Sequence, residues 1–307
     1  MSRRATFVVT GTPTISKVPD DGDAFASTGD ASEFEVLTMV LENGPYGPMM
    51  CLTGALMTLP PKGGDTPISN WDWTLAPNVS ERSGTRWSDG VVVTGRLKGL
   101  AFTQTRPPRR PTSEDQARLQ DRWTARTHAF TVPCSPPPGG WPVEPANVHD
   151  DIDVTAMMDA FRAYATCQPD FAGWYPGRSG SPNDSARPTA LGTRTTSEPG
   201  QLVMVAAFTG DLNRHRAELR KIWPGALCVT AARRTNADRR TIDRAVHELF
   251  ASRRFDPVKL LNTAPSPLGD TVLAHVTVGT AELRAELDQR FGTGAVELIA
   301  KLRPVAD

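Results

Sequence analysis

The feature that most constrains the fold is a regular alternation of strand and helix patterns after Leu202. Four short apolar runs typical of strands are separated by three amphipathic segments with helical spacing. The runs are 202-LVMVAAF-208, 226-ALCVTAA-232, 271-TVLAHVTVG-279 and 295-AVELIAKL-302, and the helical segments cover about residues 212–223, 236–252 and 280–291. This order, β-α-β-(α)-β-α-β with the middle helix as a connector, predicts a ferredoxin-like α+β domain over residues 201–307. Right-handed crossovers would place its helices on one side of a four-stranded sheet.

Residues 1–107 show a different pattern, because they contain short β-branched runs and glycine turns but no helical periodicity. An opening strand is predicted at 5–12, and a hairpin with a long loop joins the runs 34–42 and 49–59. The clearest hairpin is 90-GVVVTGRLKGLAFTQTR-106, which turns at 97–99. Strands of this kind predict a small antiparallel β-barrel or sandwich.

The segment between these two parts is rich in proline. Residues 108–175 are predicted to be a connector with two helices. The second helix has a core stripe at Val154, Met157, Met158, Phe161 and Ala165. Residues 176–200 have almost no large apolar side chains, which predicts a flexible linker.

Charge and hydropathy exclude several classes of protein. The chain has 34 basic and 34 acidic residues, so its formal net charge is +0 and no global field attracts nucleic acid or anionic lipid. The longest apolar runs are far shorter than the roughly 20 residues of a membrane span. Near the N-terminus, the apolar stretch Ala5–Val9 is too short for a signal peptide. We therefore predict a cytoplasmic protein without a transmembrane segment.

The cysteine spacing gives no metal motif. Cys51, Cys134, Cys167 and Cys228 are far apart in the sequence, so no CxxC pair exists and we predict no bound metal and no cofactor. The favoured interpretation is four reduced thiols, with Cys51 and Cys228 buried on strands. The alternative is that Cys134 and Cys167, which lie in or beside loops, pair in an oxidising compartment.

No catalytic constellation emerges from the sequence. The histidines are His128, His149, His215, His247 and His275, and we interpret all five as ordinary surface residues. The cluster 149-HDDID-153 is typical of a solvated loop in which Asp153 caps a helix. The segment 179-SGS-181 lies in the predicted linker, and the glycines of 209-TGD-211 and 292-GTG-294 match no phosphate-binding motif. Whether the chain is an enzyme therefore stays open, and a non-enzyme is favoured.

Two groups of residues are candidates for binding. Trp71, Trp73 and Trp87 could stack on a ligand at a barrel mouth, although a packed plug is the favoured interpretation. The second group is Arg240, Arg244 and His247, which share one helical face. They lie in the stretch from Arg214 to Lys259, which has 12 basic and 5 acidic residues and hence a net charge of +7.

Several segments resemble an uncharacterised family of two-domain actinobacterial proteins. They are 51-CLTGALMTLPPKGGDTPISNWDW-73, Trp87, 93-VTGRLKGLAFTQT-105, 134-CSPPPGGW-141, 169-PDFAGWY-175, 208-FTGDLNRHRAELRKIWPGALCV-229 and 291-FGTGAVEL-298. The resemblance covers nearly the whole chain and implies a protein that is usually secreted or membrane-attached, with no known activity. It also implies a disulfide between the position of Cys51 and a Pro-Pro-Gln-Cys cysteine. Gly63 occupies the second position here, so Cys51 lacks that partner.

These observations favour a non-enzymatic scaffold or binding protein that associates with a protein or a small ligand. One alternative is a hydrolase whose site is assembled from distant loops. Another is nucleic-acid binding through the arginines of residues 214–259, which is disfavoured because no aromatic residues lie among them for base stacking. Location in the cytoplasm is the first prediction, and secretion or envelope association is the alternative that the resemblance implies. The oligomeric state is left open.

Overall fold

The computed structural model of the chain describes residues 33–99, 101–119, 132–137, 140–141, 154–178, 202–252, 255, 258–266 and 270–305. The predicted opening strand at 5–12 lies outside these ranges. So do residues 179–200 of the predicted linker.

The N-terminal part is a β-barrel with short additions. The strands and the helix of this part are β1 Phe34–Asn43, β2 Pro48–Met50, β3 Ala55–Leu56, β4 Lys62–Gly63, β5 Thr66–Ser69, β6 Val79–Arg82, β7 Thr85–Lys98, β8 Ala101–Gln104 and α1 Ser113–Leu119. Five of the strands close into a barrel because β1 pairs with both β2 and β7. Numbered in chain order, the five barrel strands are arranged 1-2-3-5-4-1, which is the strand order of the OB fold.

The predicted barrel is confirmed, but it is mixed rather than purely antiparallel. Strands β5 and β8 run parallel, while the other barrel pairs are antiparallel. After β5 the chain passes through a loop and forms the β6–β7 hairpin. Strand β8, which follows β7, then pairs with β5. The predicted hairpin β7–β8 is present. The hairpin β1–β2 is present as well, but its second strand ends at Met50, so the predicted run 49–59 pairs with β1 only at its beginning.

Alternating apolar residues fill the barrel, as the period-2 pattern requires. Val36, Val40, Val91, Val93 and Phe102 belong to one buried cluster. Its members also include Phe34, Met50, Leu52, Ile68, Val278 and Leu302. At Gly95 on β7, a Cβ atom would lie 2.2 Å from the carbonyl oxygen of Thr103 and 2.5 Å from the ring of Phe102. Only glycine therefore allows β7 and β8 to approach this closely.

Helix α1 is held against the barrel by buried carboxylates. Glu35 on β1 and Asp115 on α1 are both almost fully buried. Arg109 forms ion pairs with both carboxylates, and Arg118 pairs with Glu35. The hydrogen bond from Arg109 holds the pKa of Asp115 well below its usual range, even though burial opposes the shift.

The C-terminal part is built from β-α-β units with packed helices, which confirms the predicted α+β class. Its elements are α2 Val154–Thr166, β9 Phe171–Arg178, β10 Leu202–Phe208, α3 Leu212–Ile222, β11 Ala226–Ala231, α4 Asn236–Ala251, β12 Leu260–Pro265, β13 Val272–Val276, α5 Ala281–Phe291, β14 Val296–Ala300 and β15 Arg303–Pro304. The stripe predicted on α2 is buried at Phe161 and Ala165, partly buried at Met157 and Met158, and exposed at Val154.

The four predicted β-α-β strands lie in two three-stranded sheets rather than in one four-stranded sheet. One sheet has the order β11-β10-β9 and the other has the order β12-β13-β14. Each sheet has an additional antiparallel strand, which is β9 beside β10 and β12 beside β13. These strands occupy the edges at which the two β-α-β units would have to pair to form a single sheet. These two strands contain Gly173, Pro176, Gly177 and Pro265, which weaken a strand signal in sequence. Strand β9 also extends through Arg178, the third residue of the predicted linker.

The two sheets belong to two copies of the same structural unit, each with the order α-β-β-α-β. The first copy is α2-β9-β10-α3-β11, and the second is α4-β12-β13-α5-β14. Helices α3 and α5 each have 11 residues and begin at residues 212 and 281, which are 69 positions apart. Gly210 and Gly279 before these helices, and Gly225 and Gly294 after them, keep the same offset. This C-terminal part is therefore an internal structural repeat.

After the second unit the chain returns to the barrel. Residues Arg303 and Pro304 form β15, which pairs with Glu35 and Phe34 of β1. The amide of Val305 also donates a hydrogen bond to the carbonyl oxygen of Glu33. Leu302, just before β15, is fully buried in the barrel core. The barrel and the second unit thus share one hydrophobic cluster and one strand ladder.

A disulfide joins Cys134 to Cys228, which corrects the prediction of four reduced thiols. Cys167, the other partner considered for Cys134, is free and exposed, and Cys51 is free and buried. Val132, Cys134 and Trp141 pack on one face of the first sheet, whereas α2 and α3 cover the opposite face. Because the two cysteines are separated by 94 positions, their spacing gave no local signal of the pairing.

Candidate functional site

The three predicted tryptophans lie in two different places. Trp71 and Trp73 contact each other edge to face, with ring centroids 5.5 Å apart, and pack against the barrel core. Nε1 of Trp73 donates a hydrogen bond to Glu42, and the guanidinium of Arg86 lies 5.6 Å from the centroid of the same ring. Trp87 instead packs with Met39, Leu41 and Cys51 in a separate cluster. The three indoles therefore form no common platform, and the placement of Trp71 and Trp73 is that of a plug.

The most exposed apolar feature of the barrel is a hairpin between β2 and β5, which we call the flap (residues 54–64). Strands β3 and β4 pair only with each other within the described residues. The flap exposes 67% of Leu56, 83% of Met57 and 64% of Leu59. Three large apolar side chains thus lie within four positions, where burial would remove them from water.

The base of the flap is fixed by one carboxylate. Asp65 accepts hydrogen bonds from the amides of Leu52 and Thr53 and from the hydroxyls of Thr53 and Thr66. These contacts join the chain entering the flap to the chain leaving it. On the other side, Nζ of Lys259 donates to the carbonyl oxygen of Asp65 at 3.0 Å. The flap is therefore anchored both to the barrel and to the C-terminal part.

A groove of about 270 Å³ lies between the flap and the outer surface of β1. Its lining includes Met39 and Leu37 of β1, Cys51, Met57 of the flap and Asp89 of β7. The other lining residues are Thr38, Gly54, Ala55 and Gly90. Burial, reinforced by the charges of Asp65 and Asp89, raises the pKa of the Cys51 thiol to about 11. The thiol is therefore neutral at physiological pH.

The predicted basic face is present on α4. Arg240, Arg244 and His247 are all exposed, and Nε2 of His247 lies 3.0 Å from the hydroxyl of Thr263. Arg240 and Arg244 have no hydrogen-bond or ion-pair partner within the described ranges. The residue directly before Arg240, Arg239, is buried and donates to the carbonyl oxygens of Ala172 and Ser266, which links α4 to β9.

His215 corrects the prediction of a surface histidine, because its side chain is fully buried. Its ring stacks on Phe208 with centroids 3.7 Å apart. Nε2 of His215 lies 2.8 Å from Oδ2 of Asp170, and Nδ1 lies 3.1 Å from the hydroxyl of Tyr164. The short contact with a carboxylate indicates that Nε2 carries a proton, which leaves Nδ1 to accept from the tyrosine.

This Tyr164–His215–Asp170 relay resembles a catalytic triad in its order of hydrogen bonds, but its chemistry differs. No atom of a fully buried imidazole can touch a substrate. Burial raises the pKa of Tyr164, so its phenol stays protonated rather than becoming a nucleophile. What the arrangement can do is tie α2, the turn before β9 and α3 together. The relay could not be predicted from the sequence, because its three residues come from separate segments of the chain.

The other two histidines in the described residues differ from each other in burial. His275, also predicted at the surface, is buried on β13, where Leu273 and His275 alternate with Ala274 and Val276, which pack in the cluster with the helices. Only His247 is exposed among the described histidines. His128, His149 and the cluster 149–153 lie outside the described residues, as does 179–181. Among the residues that the structure describes, no group of three His, Cys, Asp or Glu side chains could hold a metal ion.

Comparisons with protein-family models, with curated proteins and with solved structures find no match to this chain. Within the described part, no helix combines the length and the apolar character that crossing a bilayer requires. The flap, the groove and α4 are therefore the features of the molecule that bear on its function.

Proposed function

We propose that the protein is a non-enzymatic binding protein whose barrel associates with a protein partner through the flap. The observation that carries this proposal is the exposure of Leu56, Met57 and Leu59 on one anchored hairpin. Clusters of exposed large apolar side chains mark interaction sites, whereas single ones are common on any surface. Because Asp65 fixes the base of the hairpin, little ordering of the backbone would oppose association.

Site-specific photo-crosslinking tests this proposal. A photoreactive amino acid is placed at Leu56 or at Leu59, and the chain is expressed in its native host. Val154 on α2 provides the matched control, because it is also apolar and 47% exposed but lies far from the flap in the sequence. We expect one discrete protein adduct from positions 56 and 59 and none from position 154. Adducts of equal yield from all three positions, or none from the flap, would contradict the proposal.

A competition experiment gives the same test quantitatively. The double variant L56S/L59S should compete for the identified partner at least about tenfold less well than the unmodified chain, because apolar anchors dominate such interfaces. The variant V154S should compete as well as the unmodified chain. A size measurement on the purified protein distinguishes a foreign partner from a second copy of the chain.

We also propose that the protein works in an oxidising compartment, which corresponds to the secreted or envelope-associated alternative. The disulfide between Cys134 and Cys228 supports this location, since such bonds persist outside the reducing cytosol. Protein isolated from its source with free thiols blocked in denaturant at lysis should contain two alkylated cysteines, Cys51 and Cys167. Four alkylated cysteines would instead support the cytoplasm.

A second candidate function is binding of a polyanion along α4. It is favoured by Arg240 and Arg244, which lie four residues apart without partners among the described residues. Like charges at this spacing repel each other, and an anionic partner would remove that repulsion. Binding to a nucleic acid should weaken steeply with salt and should be lost in R240A/R244A. Binding that is independent of salt, or unchanged in the variant, would eliminate this candidate.

A further inference from the structure

Three sulfur-containing residues are among those that line the groove beneath the flap. They are Met39 of β1, Cys51 just after β2, and Met57 of the flap. Met39 and Cys51 are packed in the same buried cluster, and the amide of Cys51 donates to the carbonyl oxygen of Met39 at 2.9 Å. Met57 is 83% exposed, so its flexible thioether side chain can swing toward the groove or away from it.

We propose that this groove binds one soft monovalent cation, Cu(I) or Ag(I), through Sγ of Cys51 and the Sδ atoms of Met39 and Met57. Thioether and thiolate sulfur select such cations, whereas Mg²⁺ and Ca²⁺ require oxygen ligands. The site goes beyond the proposed partner binding. It combines one cysteine with two methionines, so it is distinct from a cluster of three or more His, Cys, Asp or Glu side chains, of which the described residues contain none.

The surroundings of the three sulfur atoms favour a cation. Asp89 lines the same groove, and Asp65 lies close enough for its charge to act on the Cys51 thiol. The cavity is open to solvent on the side of Met57, so an ion has an entry path. Leu37 and Ala55 complete the lining with apolar surface, which strengthens electrostatic interactions inside the groove.

Binding involves one proton and no electron transfer. As the bond between Sγ and the metal forms, the Cys51 S–H bond breaks and its proton passes to solvent, while the two thioethers donate lone pairs without losing atoms. Because a thiol is largely protonated near neutral pH, each cation bound there displaces a proton. The apparent affinity should therefore increase about tenfold per pH unit between pH 6 and 8.

The test uses Ag(I), which needs no reductant and so leaves the disulfide intact. Titration of the full chain in a C167S background, without chloride, removes the exposed thiol as a competing ligand. We expect one equivalent of Ag(I) to bind and the thiolate-to-metal absorption band to appear. The variant C51S should lose about 100-fold or more in affinity, and M39L and M57L about tenfold each. The control M158L, on α2, should bind as tightly as the C167S parent.

The variant M57L separates metal binding from stability, because Met57 is a surface residue whose replacement leaves the buried clusters intact. Unchanged affinity in C51S would overturn the proposal, since the metal would then lie elsewhere. Unchanged affinity in M39L/M57L would overturn it as well, because a single thiol would then account for binding. An affinity independent of pH would rule out the Cys51 ligand. Since L56S/L59S removes partner binding but no sulfur ligand, failure of either proposal leaves the other intact.

Discussion

Nε2 of the buried His215 lies 2.8 Å from Oδ2 of Asp170, and the same imidazole contacts the hydroxyl of Tyr164 on its other side. One ring thus joins two helices of the first repeat to the turn between them. In the second repeat, apolar Leu283 and Leu287 are the buried residues of α5, so the polar connection belongs to the first repeat alone among the described residues.

Removing the tyrosine hydroxyl tests this connection. In Tyr164→Phe, Nδ1 of His215 loses its donor inside the protein, so we expect the free energy of unfolding to fall by about 1–3 kcal/mol. Urea unfolding at neutral pH measures the change. Tyr46→Phe is the matched control, because Tyr46 is 80% exposed and its hydroxyl is accessible to water. Equal stability of the two variants would show that the relay contributes nothing to the fold.

The disulfide should be a major source of stability. It closes a loop between positions that are 94 residues apart, and bonds of this kind contribute about 2–4 kcal/mol. We expect Cys134→Ser to lower the free energy of unfolding by that amount, and added dithiothreitol to have little further effect on the variant. Cys167→Ser should leave stability unchanged because Cys167 is free and exposed. A stability of Cys134→Ser equal to that of Cys167→Ser would argue against the bond.

Acid should destabilise the contact between α1 and the barrel. Hydrogen bonding from Arg109 lowers the pKa of Asp115 in the folded state below the value of about 3.9 in unfolded chains. Between these two values the unfolded chain binds more protons than the folded one. The stabilisation is therefore complete above about pH 4 and is lost as the pH falls toward the folded-state pKa.

The variant Asp115→Asn isolates this contribution. Its unfolding free energy should depend less on pH between about 4 and 2 than that of the unmodified chain, and the difference between the two should shrink as the pH falls. Asp159→Asn is the control, because its ion pair with Arg162 is exposed at the surface. Thermal unfolding at a series of pH values measures both variants. Parallel curves for Asp115→Asn and the unmodified chain would contradict the assignment.

A methyl group at Gly95 should disrupt the barrel. The added Cβ atom would lie within 3 Å of a backbone carbonyl oxygen and of the Phe102 ring, and the backbone cannot move aside without breaking the β7–β8 pairing. We expect Gly95→Ala to cost about 3 kcal/mol or more. Gly210→Ala is the comparison, because its nearest contact would be Oδ2 of Asp170 at 3.4 Å. If the two alanine variants melt within a degree of each other, the close approach at Gly95 is not a constraint.

The sequence was informative where a single segment carries the pattern. The hairpin at 90–106, the helix that begins at Leu212 and the strand at 202–208 are all present, because periodicity and turn residues act over a few neighbouring positions. The strands β9 and β12 were missed because their glycines and prolines weaken the local signal. Because these two strands occupy sheet edges, the C-terminal strands form two sheets rather than the single predicted sheet.

The candidate sites were less accessible to sequence reasoning. The exposure of Arg240 and Arg244 could be predicted because a helix has a fixed period, whereas the burial of His215 depends on α2 and on Phe208, which lie elsewhere in the chain. The bond between Cys134 and Cys228 depends in the same way on a tertiary path. The flap was not predicted, because residues 55–59 were included in the predicted strand run 49–59, whereas β2 ends at Met50.

The return of Arg303 and Pro304 to β1 has a consequence for the order of biosynthesis. A nascent chain that has emerged only as far as the first repeat can form most of the barrel. However, β1 then lacks its partner β15, and Leu302 is missing from the barrel interior. Completion must wait until residue 305 has left the ribosome or the translocation channel. A chaperone or a protease therefore encounters an unfinished barrel throughout the synthesis of residues 120–305.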